Sequence, residues 1–156
     1  MDRVSQQVRS KIMASVRSVN GSTEQKMATL LRNNKLPTFR MQWPVIGKPD
    51  FAWPKRKVAL FIDGCFWHGC PRCNRPSKSN VEFWQTKVVA NRRRDIRVAR
   101  RLRRDGWKVL RVWECVVEET RTLSRIRRAV ASGSTKCSSR KAMSHRKGKS
   151  SNAQRR

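Results

Sequence analysis

The chain has 156 residues, 38 of them Lys or Arg against 10 Asp or Glu, a net charge of +28. That length supports one modest core and leaves no room for a second full domain. No apolar run reaches the length of a membrane span and MDRVSQQVRSK lacks the apolar stretch of a secretory signal, so the expected location is the cytoplasm and the expected partner a polyanion, nucleic acid before membrane.

Ser5 to Val16 reads as a helix with Val8, Ile12, Met13 and Val16 on one side. Ser22 or Thr23 can cap a second helix, with Glu24 in its first turn and Met27, Leu30 and Leu31 facing inward. Residues 38–43 and 49–53 read as a strand pair about the turn Gly47-Lys48-Pro49. Lys57 to Asp63 is an apolar strand ending at Gly64, and residues 64–77 form a loop punctuated by Cys, Pro and Gly. Asn80 to Asp105 reads as a long arginine-rich helix stopped by Gly106, with Val89, Ile96, Ala99 and Leu102 as a thin core stripe. Trp107 to Glu114 is a second buried strand that carries Trp107 and Trp113 into the core, and a last helix runs to about Ala131. Helices flanking a small central sheet make the class α/β.

From Ser132 the composition turns to Ser, Lys, Arg and Gly. Eight basic residues and no acid fall between Gly133 and Arg156, which leaves +20 on the body. The division is therefore a folded domain over 1–132 and a basic, disordered tail over 133–156, which either adds general DNA affinity or is an inert extension.

Five cysteines in an intracellular chain point to metal before disulfides. Cys65, Cys70 and Cys73 share one loop, and Cys115 ends the next strand, while Cys137 lies in the tail. Four thiolates close a tetrahedral zinc site with no open position, so this Zn2+ is structural; incidental free cysteine is the ordinary alternative. Carboxylates are scarce enough for their positions to matter. Asp50 follows Pro49 at a strand start, Asp63 ends the next strand, and Glu24 sits at a helix start. Converging there, they would hold Mg2+ by hard oxygen ligands, although Pro-Asp alone is ordinary turn chemistry. His68 is the body's one histidine, since His145 lies in the tail. With the cysteines filling the zinc site, it is free to act as a general base, or it is simply a packed histidine.

Six tryptophans are many for this length. Phe66 and Trp67 adjoin His68, and Phe83-Trp84 opens the arginine-rich helix; such side chains can wedge between base pairs or pack under the zinc loop. Met13 is a third candidate wedge, with burial in the core as its commoner role. The arginines of that helix suit phosphate contacts, which position a duplex without reading its sequence.

KPDF, FIDGCFWHGC, EFW before a basic helix and GWKVLRVWEC together resemble the very short patch repair (Vsr) endonucleases over residues 5–131. The resemblance implies a restriction-endonuclease-like core and a Mg2+-dependent nick 5′ to the thymine of a T:G mismatch left by 5-methylcytosine deamination. By resemblance Asp50 binds the metal, His68 activates water and Glu24 is the N-terminal active-site glutamate. Phe66, Trp67 and Trp84 intercalate, Met13 wedges from the minor-groove side, and Lys87 and Asn91 lie near the mismatched pair. Cys65, Cys70, Cys73 and Cys115 fall in the zinc region. The best-known members have Thr-His where this chain has Ile62-Asp63; Ile62 can still offer the backbone oxygen to the metal, and Asp63 can bind it directly or act on His68 as a neighbouring charge. Cys70 stands where histidine is familiar, and the spacing to Cys73 is one residue longer.

The resemblance also implies a bacterial, nucleoid-associated monomer acting on duplex DNA, with mismatch-repair proteins as possible helpers. Two other readings compete: a nuclease of the same fold with another specificity, and a non-catalytic zinc-containing DNA-binding protein. The grouping of Asp50, Asp63 and His68 favours an enzyme.

Overall fold

The computed structural model describes residues 21–73, 77 and 80–133. The helix expected over Ser5–Val16, with Met13, and the tail from residue 134 onward lie outside the described residues. Helix α1 (Ser22–Asn33) leads to strands β1 (Arg40–Met41), β2 (Phe51–Trp53) and β3 (Val58–Asp63). A four-residue helix, α2 (Cys65–His68), and the long α3 (Val81–Arg104) follow, then β4 (Lys108–Trp113) and α4 (Thr120–Ala131). The strands form one mixed sheet in the order β1-β2-β3-β4. β1, β2 and β3 are successively antiparallel, and β3 and β4 are parallel. A parallel pair needs a crossover, and α2 with α3 provides it.

Strand alternation sorts β3 between two cores. Val58 and Leu60 face α1 and α4, where they join Phe51, Trp53, Leu110 and Val112 with Met27, Leu31 and Ile126; Ile62 packs against the same cluster. Ala59 and Phe61 face the other way, onto Leu102 and Val98 of α3. Truncating a residue as enclosed as Leu60 to Ala would cost about 2–5 kcal/mol. The buried Trp53 indole satisfies its N–H on the Pro37 carbonyl at 2.8 Å.

The architecture meets the expected α/β class with local differences. The N-cap of α1 is Gly21, not Ser22 or Thr23, and the Glu24 carboxylate accepts from the Gly21 N–H at 3.2 Å. The expected loop after Gly64 begins with α2. The core stripe of α3 is shorter than periodicity suggests: Ala99 and Leu102 are buried, but Val89 and Ile96 are 47% and 51% exposed. Only the last turns of α3 bury side chains against the sheet, and the eight arginines between Arg92 and Arg104 are exposed. Trp107 and Trp113 are half-buried, and Trp53 is the tryptophan enclosed in the core. None of the described helices is long and apolar enough to cross a membrane.

Candidate active site and metal centre

The β3–β4 register aligns Asp63 with Trp113. Cys65 and Cys115 each lie two residues further on, so the parallel ladder itself delivers them side by side. Cys70 and Cys73 return from the loop to meet them, and all four Sγ atoms lie within 4.8 Å of one another. Cys70 and Cys115 are 3.8 Å apart, and Cys73 and Cys65 3.4 Å. Four thiolates about 2.3 Å from one zinc ion sit about 3.8 Å apart, so the cluster has the dimensions and soft donors of a tetrahedral thiolate site. Burial pushes the Cys65 and Cys115 thiols up. Burial acts on Cys70 in the same sense, but backbone N–H groups of Cys73 and Arg72 and the neighbouring thiols outweigh it and bring Cys70 to about 7. A bound cation would favour the thiolate at all four.

Helix α2 carries Phe66, Trp67 and His68 between this cluster and an open cleft, and both its ends are fastened. The Glu114 carboxylate accepts from the Cys65 N–H at 3.0 Å. At the other end Asn91 donates to the Trp67 carbonyl at 2.9 Å, and Arg92 donates to the carbonyls of His68 and Gly69 at 2.9 and 2.6 Å. These are the carbonyls that a helix C-terminus leaves without intrahelical partners. Gly69 has φ +64, and a Cβ there would lie 2.8 Å from Val88 Cγ1, so only glycine lets the loop approach α3 this closely.

The cleft has a volume of about 1230 Å³ and contains Glu24, Asp50, Asp63, Asp95 and Glu114 among its walls, half of the chain's carboxylates. Asp50 accepts from the Ile62 N–H at 2.6 Å. Burial, and then the charges of Glu24 and Asp63, outweigh that bond and raise Asp50 to about 6. Among the described residues no Lys or Arg pairs with Asp50. An oxygen-lined hollow that penalises its own negative charge is electrostatically suited to a hard divalent cation.

His68 Nδ1 lies 2.6 Å from Asp95 Oδ2. An ionised carboxylate only accepts, so Nδ1 carries a proton in this pair, and in the neutral imidazole Nε2 is the nitrogen with the lone pair. Asp95 does not figure in the sequence-based site. Its signal was available on α3, where Trp84, Lys87, Asn91, Asp95 and Val98 recur every three or four residues and all line the cleft. Asp63 is engaged differently from the expected metal ligand: Arg111 grips both of its oxygens, with Nε donating to Oδ2 at 2.8 Å and Nη2 donating to Oδ1.

Of the expected wedge residues, the aromatic Phe66, Trp67 and Trp84 form one cluster beside His68. Phe66 meets Trp67 and Trp84 edge-to-face at 5.5 and 4.9 Å, and Trp67 meets Trp84 at 5.5 Å. Phe83 extends the row and stands 53% exposed, with the Lys87 ammonium 5.4 Å from its centroid.

The family described as DNA mismatch endonuclease Vsr matches residues 1–75. A type II nicking enzyme of Neisseria meningitidis serogroup C is 39% identical over 134 residues, which cover 83% of this chain and 90% of that protein. The chain belongs to the Vsr endonuclease family. Two further Vsr-type relatives agree. A type II nicking enzyme of Xanthomonas oryzae pv. oryzae is 38% identical over 122 residues, covering 76% of this chain and 88% of the relative. The DNA mismatch endonuclease Vsr of Escherichia coli K12 is 38% identical over 112 residues, 70% of each chain. As a Vsr-family member the chain is a DNA-cleaving hydrolase, and its excess of positive charge has its partner in DNA.

Proposed function

We propose that this protein nicks one strand of duplex DNA 5′ to the thymine of a T:G mismatch, the product of 5-methylcytosine deamination, and so initiates very short patch repair. The observation that carries the reading is the His68–Asp95 pair in the same cleft as Asp50. In this reading the sheet and helices form a restriction-endonuclease-like core, the enzyme is monomeric and cytoplasmic at the nucleoid, and mismatch-repair proteins are candidate helpers.

Asp50 and the backbone oxygen of Ile62 would hold Mg2+, with Glu24 facing the same hollow. When bound, the ion supplies Lewis-acid polarisation of the scissile phosphate. The residues perform the remaining steps. Nε2 of His68 takes a proton from water, the water oxygen bonds to phosphorus, and the bond from phosphorus to the departing sugar oxygen breaks, that oxygen taking up a proton from solvent to leave as a hydroxyl. Asp95 fixes the imidazole tautomer and balances the imidazolium that forms. Cys65, Cys70, Cys73 and Cys115 hold structural Zn2+. Phe66, Trp67 and Trp84 enter the stack at the mismatch, a weak step that costs least to open, and Met13 acts from the minor groove. Lys87 and Asn91 lie near the mismatched pair, while the α3 arginines lie along phosphates.

The test is a labelled duplex with a single T:G mismatch in several methylated contexts. A Mg2+-dependent nick on the thymine strand is expected. Equal cleavage of matched duplex would sink the mismatch claim, and no cleavage of any duplex by metal-loaded protein would sink the enzyme reading.

A further inference from the structure

Arg111 lines the same cleft and has no part in the chemistry described above. It lies opposite Phe61 in the β3–β4 register, and both side chains face α3. Its guanidinium stands 5.2 Å from the Phe61 ring centroid. Besides gripping both oxygens of Asp63, its Nη2 lies 3.0 Å from Asp95 Oδ2. That oxygen is also the one that accepts from His68 Nδ1–H at 2.6 Å. One guanidinium thus joins two carboxylates, and through the second of them the imidazole. All four groups are largely enclosed, with side-chain exposures of 24% for Arg111, 8% for Asp63, 14% for Asp95 and 15% for His68.

This geometry decides between two uses of Asp63. Asp63, His68 and Asp95 lie close enough to share a metal ion. An ion seated there would meet the Arg111 charge at hydrogen-bond distance, and would have to take oxygens already committed to it. Planar two-point pairing of guanidinium with carboxylate is the stronger alternative for an enclosed acid. Asp95, by contrast, reaches the site from α3, outside the sheet that carries Asp63 and Arg111. A second donor on the oxygen that receives His68 limits the rotation of that carboxylate.

We propose that Arg111 is a positioning residue of the hydrolytic site, holding Asp95 in the orientation that fixes His68, and that Asp63 is its counter-ion and not a metal ligand. The proposal rests on the general-base reading of His68. It gives the Asp63–Arg111 pair a purpose that a surface ion pair lacks: two β-strands brace a carboxylate carried by α3.

The full chain tests this with Arg111→Met, Arg111→Lys, Asp63→Asn and the double variant Asp63→Asn/Arg111→Met, which removes both charges together and so leaves neither buried alone. Three quantities are read: the single-turnover nicking rate on saturating DNA, Mn2+ affinity without DNA, and the low-field proton resonance of the His68 Nδ1–H. Arg111→Met and the double variant are expected to slow the chemical step about 100-fold, the loss that a small misplacement of a catalytic group produces. DNA affinity should change by less than about 3-fold and the low-field proton should be lost, while Arg111→Lys, which keeps one donor, recovers part of both. Asp63→Asn is expected to leave Mn2+ affinity within about 2-fold, since hard-cation affinity follows the number of charged ligands. A fall of 10-fold or more there would make Asp63 a ligand and overturn the counter-ion assignment. A double variant that nicks at the wild-type rate and retains the low-field proton would overturn the positioning role. His68→Ala nicking normally would instead overturn the general-base reading, and the proton resonance in the Arg111 variants would separate the two failures.

Discussion

Replacing Asp50 by Asn is expected to stabilise the metal-free protein while abolishing its nicking. The Asp50 carboxyl is raised from its ordinary 3.8 to about 6 by burial and then by the charges of Glu24 and Asp63. A folded-state value above the unfolded one means that the folded protein holds the proton more tightly. The associated stability is therefore complete below about pH 4 and is lost as the pH rises through about 6. A shift of roughly two units corresponds to about 3 kcal/mol above that window. Asparagine retains a side-chain oxygen to accept the Ile62 N–H and carries no charge. Part of the gain goes to accommodating its amide, so about 1–3 kcal/mol should remain, a rise in Tm of roughly 3–12 °C for a domain of this size. Thermal melts in EDTA at pH 8 and pH 4 measure it: the variant should melt higher at pH 8, and the two proteins should converge at pH 4. Saturating Mg2+ should narrow the gap at pH 8 by stabilising the wild type alone. A variant that melts at or below the wild type at pH 8 in EDTA would refute the claim that Asp50 is held at an electrostatic cost.

Metal analysis of the purified protein should find about one zinc per chain, and Cys70→Ser should both lower that ratio and drop Tm by roughly 10 °C or more, because binding energy at a closed thiolate site is folding energy. His68→Ala and Asp95→Asn should each slow single-turnover nicking about 10²–10⁴-fold with DNA affinity retained; a variant that cuts normally removes its residue from the chemistry. Trp67→Ala should weaken binding to a T:G duplex by about 1–3 kcal/mol and to matched duplex by much less, as expected for lost stacking on an unstacked base, so an equal loss on both would exclude wedging at the mismatch. Ending the chain at Gly133 removes eight positive charges and should make the dependence of log affinity on log salt shallower by up to about 7, without changing turnover on saturated DNA. A changed turnover would tie the tail to the chemistry.

The parts of the site that sequence made legible are those whose chemistry is rare in this chain. Four cysteines in the body, one body histidine and few acids leave little choice about which residues to group. The parts that stayed hidden depend on geometry that composition does not encode. Asp95 sits inside an arginine run whose obvious use is phosphate binding, and only its helical phase relative to Trp84 and Asn91 aligns it with the cleft. Arg111 looks like a charge misplaced in an apolar strand until the parallel register sets it over Phe61. Val89 and Ile96 match a core stripe in spacing, yet both stand exposed while Asp95, Val98 and Leu102 meet β3 and β4. Periodicity shows which face of a helix is apolar and is silent on how much of that face meets a partner.

The same register links the metal centre to the chemistry. Because Asp63 pairs with Trp113, Cys65 and Cys115 meet beyond the strand ends, and the loop between Cys65 and Cys73 is tied down at both ends. His68 lies within that loop, with α3 holding the carbonyls at positions 67, 68 and 69. A four-residue helix has no stability of its own. Its geometry is set by Cys65 and Glu114 on one side and by Asn91, Arg92 and the glycine contact at Gly69 on the other. Loss of the thiolate cluster should therefore reach the nicking rate through His68 before the sheet unfolds, since a displacement near 1 Å of a catalytic group is worth about 100-fold. The two sites share no ligand; they share the helix whose position both require.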